Sequence, residues 1–142
     1  GRGWPQAMKA LHDQGLLSWP HLLDACVLWS FGRLIHNTDM HLGNLSLGID
    51  GDVFRLLPVY DMGSMGFAPI SGELRPFHFT CPELGDLGLE QSKTRSIRDL
   101  ATTMAREFWW RVAGDERISP EFREFLSKGN PVDRADGKAE DR

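Results

Sequence analysis

I-H-N-T-D-M-H-L-G-N-L-S-L-G-I-D-G-D-V-F-R-L-L-P-V-Y-D, residues 35–61, is the stretch on which the reading of this chain turns. It opens where an apolar helical pattern ends, and Asn37-Thr38-Asp39 and Gly43-Asn44 are loop chemistry. Two short apolar runs follow, Leu45–Ile49 and Val53–Val59, joined by Asp50-Gly51-Asp52. That pattern predicts a β-hairpin, fraying at Pro58, whose nitrogen cannot donate to a ladder. A lone carboxylate, Asp61, comes directly after Tyr60. The stretch therefore reads as helix, polar loop, hairpin, carboxylate.

Around it the chain is helical. Ser18 and Pro20 open a helix whose apolar stripe is Leu22, Leu23, Cys26, Val27, Phe31, Leu34 and Ile35. Trp29 and Ser30 fall off that stripe, and Gly32 inside it implies a close helix contact. Pro5–Asp13 predicts a shorter helix ahead of it. Ser92–Val112 predicts a long one, facing the core with Ile97, Leu100, Ala101, Met104, Ala105, Phe108 and Val112, and at least one of Trp109 and Trp110. Ser119-Pro120 opens a last short helix through Leu126. Between Met62 and Leu89 glycine and proline recur and little regular structure is expected, beyond a brief extended piece at Phe77-His78-Phe79. Residues 129–142 have the composition of a disordered tail. The fold class is mainly α with a small β-hairpin (α+β), one domain over 1–128 plus the tail.

Bulk composition narrows the function. With 41% hydrophobic and 25% charged residues the chain is an ordinary globular one. A formal charge of -4 argues against a nucleic-acid surface, and no apolar run reaches membrane length. With no signal peptide visible, the expected setting is cytoplasmic and no membrane partner is expected. Cys26 lies in an apolar helical pattern and reads as a reduced core thiol. The opening Gly1-Arg2-Gly3-Trp4 is expected to lie inside a longer protein.

Asp39 and Asn44 stand five residues apart, as aspartate and asparagine do in the catalytic loop of protein kinases, and Asp61 follows a hairpin as a second metal carboxylate would. Phosphoryl transfer needs Mg²⁺, ligands to hold it, and a carboxylate to accept the proton of the attacking hydroxyl. Aspartate and asparagine also favour turns, so the spacing alone is ordinary. The crowding of Asn37, Asp39, His41 and Asn44 into one loop is not. His41 is expected to hydrogen-bond within the loop and hold Asp39. A Zn or Fe site from His36, Asp39 and His41 matches no strong spacing signature. His36 is expected to stabilise the carbonyls at the helix end. Ser46 has no base beside it in sequence, which weakens a serine-hydrolase reading.

N-T-D-M-H-L-G-N-L-S-L (37–47) followed by L-P-V-Y-D-M (57–62) resembles the C-terminal portion of HipA-like serine/threonine kinases, the kinase toxins of bacterial type II toxin–antitoxin systems. The flanking F-G-R-L-I (31–35) and M-G-F-A-P (65–69) fit as well, and the resemblance runs from about Trp4 to Leu126. It implies a protein-kinase-like C-terminal lobe, with ATP as co-substrate and Mg²⁺ as metal. Asp39 would be the catalytic base, with His41 beside it. Asn44 and Asp61 would be the metal ligands, and Asn37, Asn44 and Asp61 would line the nucleotide and metal site. Implied partners are a protein substrate, a helix-turn-helix antitoxin and an N-terminal kinase lobe. In the subgroup it most resembles, Met-Leu-Pro-Met follows the aspartate; here Met62-Gly63-Ser64-Met65 does.

That N-terminal lobe, with its glycine loop and strand lysine, has no counterpart here: none of Lys9, Lys93, Lys128 and Lys138 lies in an apolar strand pattern ahead of Asp39. The 142 residues alone are expected not to phosphorylate anything. Two other readings share part of the pattern. Small-molecule kinases of the aminoglycoside and choline type carry a similar loop. A non-catalytic lobe serving as an interaction module would also look like this.

Overall fold

Helical periodicity closes three helices onto one another: α1 (Trp4–Asp13), α2 (Trp19–Leu34) and α3 (Gln91–Gly114). The computed structural model describes residues 3–69, 71–73 and 84–134. α2 is the central element and packs against α1 on one side and α3 on the other. Leu22, Ala25, Cys26, Leu34 and Ile35 are buried on its side of the core, facing Ile97, Ala101, Ala105 and Trp109 of α3. Small alanines on both helices suit close backbone approach. Burial pushes the Cys26 thiol up to about 12, so it is an inert core group, as its position in the stripe predicted.

Two expectations about these faces fail. Ser30, placed off the stripe, is 2% exposed, and its hydroxyl has no hydrogen-bond partner among the described residues. On α3, Leu100 and Met104 were assigned to the core but face solvent, with 50% and 39% exposure. The buried line is Ile97, Ala101, Ala105, Trp109, an i, i+4 row narrower than the apolar pattern suggested. The two adjacent tryptophans split: Trp109 is buried and donates its indole N–H to Leu34 O at 3.1 Å, and Trp110 is 74% exposed.

The hairpin forms from β1 (Leu47–Asp50) and β2 (Val53–Leu56), antiparallel, with Leu47 opposite Leu56 and Asp50 opposite Val53. Gly51 sits first in the two-residue link with φ 60°, a left-handed conformation suited to glycine. β1 starts later than expected, because Leu45 closes a 3₁₀ turn over Leu42–Asn44 by donating to Leu42 O. β2 ends at Leu56, and Leu57 N–H makes one more bond to Ser46 O before Pro58 ends the pairing. The hairpin is fastened to the α1–α2 connection by Phe54 N–H donating to Leu16 O at 2.8 Å.

After Asp61 a 3₁₀ turn, Met65–Phe67, pins the chain back onto the helices. Phe67 meets Trp109 at 5.2 Å, and Phe122 and Phe125 of α4 (Pro120–Ser127) at 5.1 and 6.0 Å. α4 is capped as expected, Ser119 Oγ accepting from Phe122 N–H. The disorder expected from residue 129 does not hold over 129–134. α5 (Pro131–Arg134) packs on α3, with Pro131 and Val132 buried. Asn130 ties it down, donating to Arg106 O and accepting from Val132 N–H, and Asp133 pairs with Arg106 at 2.8 Å. Phe77-His78-Phe79, Cys81 and residues 135–142 lie outside the described residues. Among those described, no helix is long and apolar enough to cross a membrane.

Candidate functional site

The site begins with the way α2 ends. His36 adopts φ 63°, its N–H bonds Arg33 O at 3.1 Å, and Asn37 N–H reaches back to Gly32 O at 2.8 Å. Those two bonds make a Schellman closure with a histidine where glycine is usual. His36 thus satisfies the helix end through its backbone conformation rather than through a charged ring. Burial, and secondarily Arg33, pull its imidazole below its ordinary pKa. The ring stacks edge-on to Phe67 at 5.1 Å and lies over Gly66, where a Cβ would come within 2.2 Å of its Cδ2. Gly66 N–H returns the contact, donating to His36 O. Gly32 is close to the loop rather than to another helix: a Cβ there would lie 2.3 Å from Met40 Sδ and 3.0 Å from Met62 Sδ.

The left-handed turn at His36 delivers Asn37 into the interior, 3% exposed. Its amide joins the two halves of the site. Oδ1 accepts from Asp39 N–H at 2.9 Å, and Nδ2 donates to Asp61 O at 3.0 Å. With both ends spent on the backbone inside the core, Asn37 is a brace. That bracing role is distinct from the nucleotide-lining place the resemblance implies for it. Asp61 itself is exposed and held at φ 53°, left-handed for a non-glycine residue, with its carbonyl fixed by Asn37. Strain of this kind persists only where surroundings enforce it.

Asn44 is buried at the end of the 3₁₀ turn and donates Nδ2 to Asp39 O at 2.7 Å, with Asp39 Oδ2 further off at 3.5 Å. A carbonyl can only accept, so this bond orients the amide. Asn44 Oδ1 then remains without a hydrogen-bond donor among the described residues. His41 Nδ1 accepts from Gly43 N–H at 3.0 Å, which leaves Nε2 as the ring's donor, 3.4 Å from Asp39 Oδ1. Both side chains are more than half exposed, so the carboxylate stands open to solvent with the histidine beside it.

Asp39, His41 and Asn44 are therefore together, and Asn37 ties Asp61 to them through backbone. The Asp61 carboxylate makes no direct bond to the other three. An amide oxygen and a carboxylate oxygen, both without a hydrogen-bond partner among the described residues, suit a hard cation such as Mg²⁺, which takes one or two carboxylates and completes its shell from phosphate and water. The alternative Zn or Fe site is not assembled: no group of three His, Cys, Asp or Glu that could hold a metal occurs among the described residues. The His36 ring is committed to Phe67 and Gly66.

Two residues at the site were not among the candidates named from the sequence. Trp4, 1% exposed, donates Nε1–H to His41 O at 2.8 Å. Tyr60 donates its hydroxyl to Gly43 O at 2.8 Å and receives Ser46 Oγ at 3.4 Å. The tyrosine adjoins Asp61 in the motif and could have been suspected from that place. Nothing local in Gly3-Trp4-Pro5 points to a loop 37 residues away.

No family model matches the chain, and no solved structure gives a significant match. A relationship does emerge among characterised sequences. Over 126 residues, 88% of its length, the chain is 41% identical to the protein named Toxin YjjJ of Escherichia coli (strain K12), and it spans 27% of that protein's length.

Proposed function

We propose that the chain is the base-and-metal lobe of a HipA-like, ATP- and Mg²⁺-dependent serine/threonine kinase, working as a toxin restrained by an antitoxin. The observation that carries the reading is the Asn37 brace, which sets Asp39 and Asp61 on either side of one buried amide. The similarity to a protein named as a toxin supports the biological half. The chain spans only 27% of that relative, so activity belongs to a longer protein that grips the nucleotide elsewhere.

In this reading Asp39 accepts the proton of the substrate serine or threonine hydroxyl as that oxygen attacks the γ-phosphorus of ATP, the bond to the β,γ-bridging oxygen breaks and ADP leaves. His41 Nε2, 3.4 Å from Asp39 Oδ1, orients the carboxylate toward solvent. Asn44 Oδ1 and Asp61 are the residues that would hold Mg²⁺, whose chemistry would be to neutralise charge on the phosphates. The substrate is a protein, and the antitoxin a small helix-turn-helix protein. The exposed apolar side chains Ile49, Val53 and Trp110 keep the interaction-module reading alive.

Two experiments test the proposal. Mn²⁺, a paramagnetic stand-in for Mg²⁺, should broaden the amide signals of Asn44 and Asp61 in the isolated chain, and Asp61→Ala should remove the effect. Broadening elsewhere, or none, overturns the metal assignment. In a protein that joins this lobe to a nucleotide-binding lobe, Asp39→Asn should abolish serine phosphorylation at unchanged melting temperature. Retained phosphorylation would overturn the base assignment.

A further inference from the structure

The loop bearing Asp39 and His41 is held from behind in an unusual way. Three alternate carbonyls along it, those of Asp39, His41 and Gly43, are each taken by a side-chain donor. The donors are Asn44 Nδ2 at 2.7 Å, Trp4 Nε1 at 2.8 Å and Tyr60 Oη at 2.8 Å. Each comes from a different place: the 3₁₀ turn itself, the first turn of α1, and the segment just beyond β2. Asp39 O lies outside every helix and strand, while His41 O also accepts from Asn44 N–H at 3.1 Å at the start of the 3₁₀ turn and Gly43 sits within that turn, so the side-chain donors add to a single short turn rather than to a ladder. Meanwhile the side chains of Asp39 and His41 lie 3.4 Å apart and open to solvent. Held carbonyls and solvent-facing side chains belong to one segment.

We propose that Trp4 and Tyr60 are positioning residues for the Asp39–His41 pair, acting only through backbone carbonyls. Trp4 fixes the peptide that carries His41. Tyr60 fixes Gly43, whose N–H in turn holds His41 Nδ1. The imidazole is therefore clamped on both sides, and its Nε2–H has one direction to point. Tyr60 adjoins Asp61, so one hydroxyl also sets the spacing between the loop and the second carboxylate. This inference rests on the functional reading only for the use to which the pair is put; the clamp stands by itself.

Amide hydrogen exchange in the full 142-residue chain tests it, together with the ring ¹⁵N signals of His41. Neither readout involves metal or ATP. Tyr60→Phe keeps the ring and deletes the donor on a side chain that is 43% exposed, so it leaves the fold intact. Exchange at Gly43 and Asn44 should rise about tenfold, the size of one lost hydrogen bond. The His41 ring nitrogens should move toward the averaged tautomer signals of a free imidazole. Amides of Ile97, Ala101 and Ala105 should be unchanged. Trp4→Phe should do the same at His41 and Gly43, and the double variant should fall short of the product of the two, since both act on one segment. Uniform acceleration across the core would reduce Trp4 to a packing residue and overturn the proposal. So would unchanged His41 signals in Tyr60→Phe. If the clamp is found while Mn²⁺ leaves Asn44 and Asp61 untouched, the kinase reading fails and the positioning roles remain.

Discussion

Asn37 is the residue on which the site most depends. It is buried, and one amide serves Asp39 N–H and Asp61 O together. Asn37→Ala leaves both part-buried groups without their partner, and a loss of about 2 kcal/mol is expected, about 1 kcal/mol for each hydrogen bond lost. Urea denaturation measures it, and a loss under about 1 kcal/mol would show that water replaces the amide. His36 makes a pH prediction. Its folded pKa lies below the ordinary 6.5, so protons bind the unfolded chain more readily. The contribution of His36 is complete above pH 6.5 and is lost as pH falls through its lowered folded value. His36→Asn tolerates the left-handed backbone and should flatten that part of the stability–pH curve. An unchanged curve between pH 5 and 6.5 would assign the dependence to another group.

At the scale of elements, two glycines appear equivalent in sequence and differ in what faces them. A Cβ at Gly66 would meet the His36 ring at 2.2 Å, a rigid group on a fixed backbone turn. Gly66→Ala should therefore lower stability by about 2 kcal/mol, in the usual range for overpacking. A Cβ at Gly32 would meet Met40 Sδ, part of a flexible chain that can swing away. An alanine in a helix interior also gains up to about 1 kcal/mol over glycine. Gly32→Ala should then stay within about 1 kcal/mol of the natural chain. Melting temperatures of the pair distinguish these outcomes, and equal losses would refute the distinction. Helix ends and the hairpin were the most readable elements, because Ser119-Pro120 and Asp50-Gly51-Asp52 encode their geometry locally. The α3 face was misread at Leu100 and Met104, since periodicity marks apolar positions without saying how wide a stripe the neighbours cover.

At the scale of the molecule, α3 receives α2, α4 and α5, and the last of these was expected to be disordered. Pro131 and Val132 are buried on it, held by Asn130 and the Arg106–Asp133 pair. Ending the chain after Lys128 should thus reduce stability by about 2 kcal/mol or more, most of it from the apolar surface of these two residues. Val132→Ala should account for a large share. A truncated chain as stable as the whole would mean that the segment adheres without contributing. Composition misled here because a short buried piece among polar residues has the average of a tail.

By itself the sequence determined the helices, the hairpin and the identity of the groups in the loop, because caps, turns and chemistry are written within a few residues of where they act. Asp39, His41 and Asn44 could be named as candidates because they crowd one short loop, spacing alone being ordinary for turn residues. Only the tertiary structure decided what each does to the next. It made Asn37 a buried brace between Asp39 and Asp61, turned His36 into a left-handed helix closure, and brought Trp4 across 37 positions to the His41 carbonyl. Such bonds depend on where a backbone carbonyl points after α1 and α2 have packed. No residue type records that direction in advance, since every residue carries the same carbonyl and packing alone selects which donor reaches it.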